Sequence, residues 1–268
     1  MTKLPQTSAL LLALKDGWLT ITFNTPENRN ALSDTLAGEL RETLEAVRDD
    51  RSVRGIFLRG NGGIFCAGGD LKAFSAGLQE GADHDAVAEM NKSGGALFAK
   101  INTMPQVVVA LVEGAAIAGG LGMACCADIV GVTADAKFSL TETQLGIVPA
   151  QIAPYVIQRI GLMRARRLML TGTRFTGADA EAMGLADYVV GGADEFAALE
   201  ADIIASVRRC APGANAATKE LALASQRLDG SQMTDLAATK FADCLLSEEG
   251  REGVTAFVQK RKPSWDAT

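Results

Sequence analysis

A glycine-rich stretch that follows an apolar run places the strongest constraint on how this chain can fold. The run Val107–Val112 is apolar and rich in valine, which is typical of a strand buried on both faces. Four glycines then punctuate a tight turn from strand to helix: Gly114, Gly119, Gly120 and Gly122. Backbone N–H groups in such a turn, with the positive end of the helix dipole behind them, can hold an anion. The stretch therefore predicts an anion site, with close packing of a helix on a sheet as the alternative interpretation of the glycines.

Two nucleotide-binding motifs fit this stretch poorly. Gly114 and Gly119 have P-loop spacing, but Gly120 and Leu121 stand where a lysine and a serine or threonine are needed. A dinucleotide fingerprint would need a third glycine at Cys125, and no suitably placed acid follows to hold a ribose. The anion can then be an oxyanion that develops during a reaction.

A second turn of the same kind occurs earlier in the chain. The buried-strand run Gly55–Gly60 leads into residues 64–71, IFCAGGDL, which turn through Gly68 and Gly69 into a helix-like segment. Two strand-end turns that each present a backbone N–H can converge on one carbonyl oxygen, which is the geometry of an oxyanion hole.

These motifs, in this order, resemble the enoyl-CoA hydratase/isomerase superfamily, which has the crotonase fold. The resemblance extends from residues 29–32 (RNAL) to residues 252–262, which is nearly the whole chain. It implies an α/β fold in which a spiral of ββα units precedes a C-terminal helical trimerisation region. The expected division is 1–195 for the spiral core with the CoA and catalytic site, and 196–268 for the oligomerisation helices.

The resemblance also implies roles for particular residues. The N–H groups of Gly69 and Gly119 are expected to form the oxyanion hole for a thioester carbonyl. Glu142 is expected to be the catalytic acid or base, with a pKa raised by its apolar neighbourhood. The two-glutamate hydratases of the family carry a further glutamate where this chain has Gly122. That departure removes the carboxylate pair that would hold and activate one water.

Coenzyme A is expected as the carrier of the substrate, with no tightly bound organic cofactor. By the resemblance it contacts a set of loop and helix residues: Asn30, Ala31, Ala67, Gly68, Leu71, Phe257 and Lys260. The last two commonly come from a neighbouring subunit, so a homotrimer or a dimer of trimers is expected. Lys260 also has an alternative interpretation, because cations favour the C-terminal end of a helix dipole.

Three other polar residues are weaker candidates. Glu113 is expected to satisfy amides of its turn, and Asp70 to lie at a helix N-terminus, with an active-site role as the alternative. His84, the only histidine, falls in segment 74–85, which is predicted to be a mobile loop, and no serine or cysteine pairs with it. Because no cluster has metal-ligand spacing either, hydrolases and metalloenzymes are poor fits.

Composition excludes further classes of protein. The chain has 268 residues, 48% of them apolar and 22% charged, which is enough for a large core. The net charge of -6 disfavours nucleic-acid binding, and no apolar run reaches membrane-spanning length. The five cysteines have no C-x-x-C spacing and are expected to be reduced. Residues 1–8 lack the features of a signal peptide, so a cytoplasmic location is expected.

After residue 162 the sequence predicts a series of helices: 163–171, Gly177–Met183, 194–210, 213–227 and 231–261. The later ones carry apolar residues beyond what one small core needs, among them Leu221, Leu236, Phe241 and Leu245. Self-association through this region is therefore expected.

The reaction is suggested by residues 144–154. This segment lacks the glycine-rich run of most hydratases, and it resembles the branch of methylglutaconyl-CoA and isohexenylglutaconyl-CoA hydratases, which also tend to have glycine at the position of Gly122. The resemblance implies hydration of a branched 2-enoyl-CoA, with Glu142 handling the proton. The alternatives are a Δ3-Δ2 enoyl-CoA isomerase, which needs only one carboxylate, and a non-catalytic CoA-binding scaffold.

Overall fold

The apolar runs form the strands of a central six-stranded sheet. The computed structural model describes residues 3–79, 81 and 83–266. The strands within these residues are β1 Leu10–Lys15, β2 Trp18–Phe23, β3 Gly55–Gly60, β4 Val107–Val112, β5 Ala115–Ile117, β6 Ile129–Thr133, β7 Lys137–Ser139, β8 Phe175–Thr176 and β9 Tyr188–Val190. Their order in the large sheet is β1-β2-β3-β4-β6-β9, and β5-β7-β8 form a second sheet.

Parallel pairing dominates the large sheet. The strands from β2 onward run parallel, whereas β1 pairs antiparallel with β2. The turn between β1 and β2 contains Asp16 and Gly17, both at positive φ (51° and 78°), as the Asp-Gly signal predicts. Parallel strands bring their C-terminal ends to one edge, so the turns after β3 and β4 leave the sheet side by side.

Helices cover both faces of the sheet. They are α1 Asp34–Val47, α2 Leu71–Gln79, α3 His84–Asn102, α4 Gly119–Cys126, α5 Ala153–Ile160, α6 Leu162–Thr171, α7 Gly177–Met183, α8 Phe196–Arg208, α9 Pro212–Ala224, α10 Gly230–Leu246 and α11 Glu248–Val258. The main core joins the sheet to helices that include α1 and α4, and a smaller cluster packs α8 against Trp18 and Phe57. None of the described helices is long and apolar enough to span a bilayer.

Several sequence-based predictions of local structure were wrong. Residues 74–79, predicted as loop, belong to α2, because the Asp70 carboxylate accepts the N–H groups of Lys72 and Ala73 and caps that helix. Within the predicted loop, positions 80 and 82 lie outside the described residues. The predicted helix 231–261 is two helices, since Ser247 is extended (φ -67°, ψ 166°) and caps α11 through the N–H of Gly250.

Helix α5 and the strands β5, β8 and β9 were not anticipated from the sequence. Helix α5 begins with proline close to its N-terminus, where the missing N–H costs nothing. The three strands are only two or three residues long and depend on partners distant in sequence. The division at 195/196 stays a prediction, and α8, just after it, packs on the central sheet.

Candidate active site

The two glycine turns are joined by a short parallel bridge. The N–H of Cys66 donates to the carbonyl of Ala115 at 3.0 Å, and the N–H of Ile117 donates to the carbonyl of Cys66 at 3.0 Å. This pairing continues the neighbouring relationship of β3 and β4 beyond the ends of both strands. It brings Gly69 and Gly119, which are far apart in sequence, to the wall of one cavity.

The contact between the turns depends on unusual backbone geometry at Ala118 and Gly68. Ala118 has φ 49° and ψ -118°, and its N–H donates to the carbonyl of Ser139 at 2.9 Å. Gly68 has φ 96°, and a Cβ there would lie 3.0 Å from both the Ala118 Cβ and the Ile117 carbonyl oxygen. Such backbone strain in a non-glycine residue persists only when the surroundings impose it, and it concentrates at functional sites.

The N–H groups of Gly69 and Gly119 are not used by the fold. Neither donates a hydrogen bond to any residue that the structure describes. Gly119 is the first residue of α4, so its N–H is one of the donors that a helix leaves unpaired at its start. Two unpaired backbone donors therefore line the cavity from two separate turns.

Glu142 lies on the wall of the same cavity. It begins a single 3₁₀ turn, Glu142–Leu145, and its carbonyl accepts the N–H of Ile147 at 3.1 Å. The residue is 8% exposed, and its Oε2 is buried with no hydrogen-bond partner among the described residues. Burial raises the pKa of this carboxyl above its usual range. A carboxyl of this kind can exchange protons nearer neutral pH than an exposed glutamate.

The cavity has a volume of about 470 Å³ and lies between α1, α3 and the two turns. Its walls are mainly apolar and include Leu97, Phe98, Leu145, Ile147, Val148 and Ile152. Cavities of this size suit a small organic group held by a few polar contacts.

The residues predicted to contact coenzyme A are divided between the cavity wall and the layer behind it. Ala67 and Leu71 line the cavity. The Asn30 side chain is fully buried and donates to the carbonyls of Asn61 (2.9 Å) and Ile64 (2.7 Å). It therefore fastens the loop that carries Ala31, and its role toward coenzyme A stays a prediction.

The backbone of Gly68 holds Leu32, the residue that follows Ala31 in the same loop. Its carbonyl accepts the N–H of Leu32 at 2.7 Å, and Leu32 lines the cavity. The C-terminal candidates lie elsewhere. Phe257 is 85% exposed, and neither it nor Lys260 lines this cavity within the chain.

The position of the missing glutamate is filled by another side chain. A Cβ on Gly122 would lie 2.2 Å from Cγ2 of Ile152 and 2.6 Å from its Cβ. Ile152 is 4% exposed and lines the cavity. Sequence reasoning missed Ile152, although it noted the unusual composition of the segment that carries it.

The weaker candidates have ordinary structural roles or none. Asp70 caps α2, as expected of an acid at a helix N-terminus. The expectation that the Glu113 side chain satisfies amides of its turn was wrong, because it makes no hydrogen bond to a described residue and only its carbonyl accepts, from the N–H of Phe65. His84 is exposed at the start of α3 beside Asp85. Across residues 3–79, 81 and 83–266, no group of His, Cys and carboxylate side chains has the arrangement of a metal site.

The strand order and the two converging turns define a protein of the crotonase superfamily, and comparison with known proteins agrees. The family model for enoyl-CoA hydratase/isomerase matches residues 14–268. This chain therefore belongs to the enoyl-CoA hydratase/isomerase family, and the α/β crotonase fold expected from the sequence is confirmed.

Solved structures and a curated relative show the same similarity. The chain superposes on Pseudomonas aeruginosa AtuE with a TM-score of 0.93 and 49% identity, covering 97% of this chain and 100% of that one. An enoyl-CoA hydratase/isomerase from Marinobacter aquaeolei gives a TM-score of 0.91 and 38% identity over 96% of this chain and 99% of that one. The 2,3-dehydroadipyl-CoA hydratase of Escherichia coli K12 is 30% identical over 96% of this chain and 98% of its own.

Proposed function

We propose that this protein hydrates the double bond of a 2-enoyl-CoA thioester, using Glu142 and an oxyanion hole formed by Gly69 and Gly119. One observation carries the proposal. A buried carboxyl with an unpaired oxygen and two unpaired backbone N–H groups line the same cavity. A proton-transfer group beside a pair of amide donors is what enolate chemistry at a thioester requires.

The reaction follows from these groups in two steps. The Glu142 carboxylate accepts a proton from water while the water oxygen bonds to C3 of the enoyl group. The C2–C3 π electrons move toward the thioester, and the enolate oxygen accepts hydrogen bonds from the N–H groups of Gly69 and Gly119. Glu142 then delivers the proton to C2, which completes the addition of one water. Each such donor contributes on the order of 2.7–4 kcal/mol to the stability of the transition state.

The cavity has room for a branched acyl group, as the proposed glutaconyl-type substrate requires. Gly38 of α1 and Gly94 of α3 both line it, and a Cβ at either position would meet no atom within 4 Å. The two helices therefore leave open space between them. The relative from Escherichia coli is named for 2,3-dehydroadipyl-CoA, an acyl-CoA whose acyl group has a second carboxyl.

An isomerase is the second candidate, favoured by Ile152. Because this side chain covers Gly122, Glu142 has no second carboxylate beside it at that position. A single carboxylate is enough to move a proton between C2 and C4 of a 3-enoyl-CoA.

Absorbance measurements distinguish these functions. Loss of the conjugated thioester absorbance with a 2-enoyl-CoA supports hydration, and gain of that absorbance with a 3-enoyl-CoA supports isomerisation. A protein that binds acyl-CoA and does neither is the non-catalytic scaffold.

The rest of the site is proposed to come from a second subunit. Phe257 and Lys260 lie outside their own chain's cavity, so they would contact coenzyme A in a neighbouring subunit of a homotrimer or a dimer of trimers. Coenzyme A is the carrier of the substrate, and the proposed chemistry requires no other organic group. A reducing cytoplasm stays the predicted location of this chain.

A further inference from the structure

One cation lines the cavity among the residues that the structure describes. The ionisable side chains on its wall are Asp34, Arg41 and Glu142. Asp34 is exposed at the start of α1, whereas Arg41 is half-buried. The proposed hydration steps use Glu142 and do not use Arg41.

Arg41 has no protein partner in the described part of the chain. No described carboxylate forms an ion pair with it, and its Nε is buried without a hydrogen-bond acceptor. Arg59, by contrast, forms an ion pair with Glu200 at 2.8 Å. An unpaired buried donor costs free energy that a bound acceptor would recover.

The position of Arg41 on α1 directs it to the space between the helices. Asp34, Ala37, Gly38 and Arg41 follow the spacing of one helix face, and all four line the cavity. Long side chains on a helix lean toward its N-terminus, so the Arg41 side chain is directed along the face of α1 that lines the cavity. Apart from its neighbours in α1, nothing lies within 4 Å of a Cβ built on Gly38, so the space beside this face is open.

The face of α1 that carries Arg41 begins close to the proposed oxyanion hole. Helix α1 starts two residues after Leu32, whose N–H is bonded to the carbonyl of Gly68. Arg41 lies seven residues farther along α1 than Asp34, which is about 10 Å of helix. A group that extends from a thioester in the hole and along α1 would therefore approach the guanidinium.

We propose that Arg41 is the residue that binds the second carboxylate of a glutaconyl-type acyl group, which makes it a determinant of specificity for CoA thioesters of unsaturated dicarboxylic acids. The inference rests on the proposed function, because it assumes that the thioester carbonyl lies in the oxyanion hole. A guanidinium presents parallel N–H donors that match the two oxygens of a carboxylate. The apolar wall around it strengthens this recognition and disfavours an uncharged acyl end, which would leave the buried donor unpaired.

Binding of saturated acyl-CoAs tests the proposal independently of turnover. Affinities for butyryl-, succinyl-, glutaryl- and adipyl-CoA would be measured by calorimetry on the full chain and on Arg41→Gln. Arg51→Gln removes the same charge at an exposed site outside the cavity and is the matched control. None of these ligands has a double bond to hydrate, so the result stands even if the proposed reaction is not observed.

The expected result is selective. Arg41→Gln should weaken binding of at least one dicarboxylic thioester by roughly tenfold to hundredfold, because a hydrogen-bonded charge pair is lost. Butyryl-CoA should change by less than about twofold, since the remaining acyl-CoA contacts are unaltered. The control should bind all four ligands like the wild type.

Two outcomes would overturn the proposal. Equal weakening of all four ligands would show that Arg41 binds a phosphate of coenzyme A, and unchanged affinities would show that it binds neither group. If Arg41→Gln does not fold, Arg41→Lys provides the same comparison, because it keeps the charge and loses the two-pronged geometry. Arg41→Lys should still weaken binding of the dicarboxylic thioester more than binding of butyryl-CoA. Equal changes in affinity for the two ligands would again reject carboxylate binding by Arg41.

Discussion

The side chain of Ile152 occupies the space directly over the Cα of Gly122. The separation between Cγ2 of Ile152 and a Cβ built on Gly122 would be 2.2 Å, far below van der Waals contact. By the resemblance to the two-glutamate hydratases, a carboxylate would extend from position 122. An apolar side chain from the segment before α5 fills that space instead, so no carboxylate extends from position 122.

Substituting Gly122 should therefore reduce stability through overpacking. We expect Gly122→Ala to lower the free energy of unfolding by about 1–3 kcal/mol. Chemical denaturation measures this, and the Gly122→Ala/Ile152→Ala double variant should lose less than the sum of the single losses. Gly38→Ala is the control, because its Cβ would meet nothing within 4 Å and a helical Gly→Ala change stabilises by about 0.5–1 kcal/mol. Equal effects at positions 122 and 38 would contradict the packing at Ile152.

Removing the proton-transfer group should lower turnover and leave binding intact. Glu142→Gln keeps the shape of the side chain but cannot exchange a proton as a carboxyl does, so kcat should fall by roughly 10²–10⁴-fold. KM should change little where it reflects binding, since the acyl-CoA contacts remain. Steady-state kinetics with a 2-enoyl-CoA measures both constants. Near wild-type kcat in the variant would place the acid or base elsewhere, with Asp70 and Glu113 next to test.

The same substitution should change how stability depends on pH. Burial raises the pKa of Glu142 above the ordinary value of 4.5. At a pH between 4.5 and the raised pKa of the folded state, the folded chain therefore holds a proton that the unfolded chain has released. The wild type therefore loses stability as pH rises through this window. Glu142→Gln lacks this loss, so its advantage in unfolding free energy should be absent below pH 4.5 and grow above it. A pH-independent difference between the two proteins in denaturant titrations would reject this account.

Removing the N–H of Gly119 should take away one of the two hydrogen bonds that are proposed to stabilise the enolate. Gly119→Pro deletes the donor, and we expect kcat to fall by roughly 10²–10³-fold. Gly119→Ala keeps the donor, and its Cβ would press only on the flexible end of Leu32, at 2.8 Å from Cδ1, so it is the matched control. Circular dichroism would check that both variants fold. A folded proline variant as active as the alanine variant would remove Gly119 from the oxyanion hole.

The C-terminal helices should associate with other copies of the chain. Phe241 and Leu246 on α10 are 69% and 66% exposed, and burying such side chains in an interface is favourable. Light scattering at micromolar concentration should give at least a trimer, and Phe241→Glu should lower that mass. Ser231→Glu, which adds the same charge at an exposed position of α10, should leave it unchanged. A monomeric wild type would count against both the trimer and the proposed contribution of Phe257 and Lys260 to a neighbouring site.

The sequence by itself determined the features that depend on local pattern. The valine-rich run of β4, the Asp-Gly turn after β1 and the Ser33 cap of α1 each carry a signal within a few residues of sequence. The order of the two glycine turns was enough to indicate the family. Glycine at position 122 was also enough to show that one carboxylate of the two-glutamate site is missing.

Only the tertiary structure decided what those features do together. The strain at Ala118 exists because a strand pairing and a neighbouring turn impose it, and the residue itself has no preference for that conformation. The filling of the space over Gly122 by Ile152 depends on elements that are distant in sequence, and so does the lack of a partner for Arg41 among the described residues. Local pattern specifies which residues can form a strand, a turn or a helix face. The contents of a cavity are set by the packing of several such elements at once, and no short segment encodes that packing.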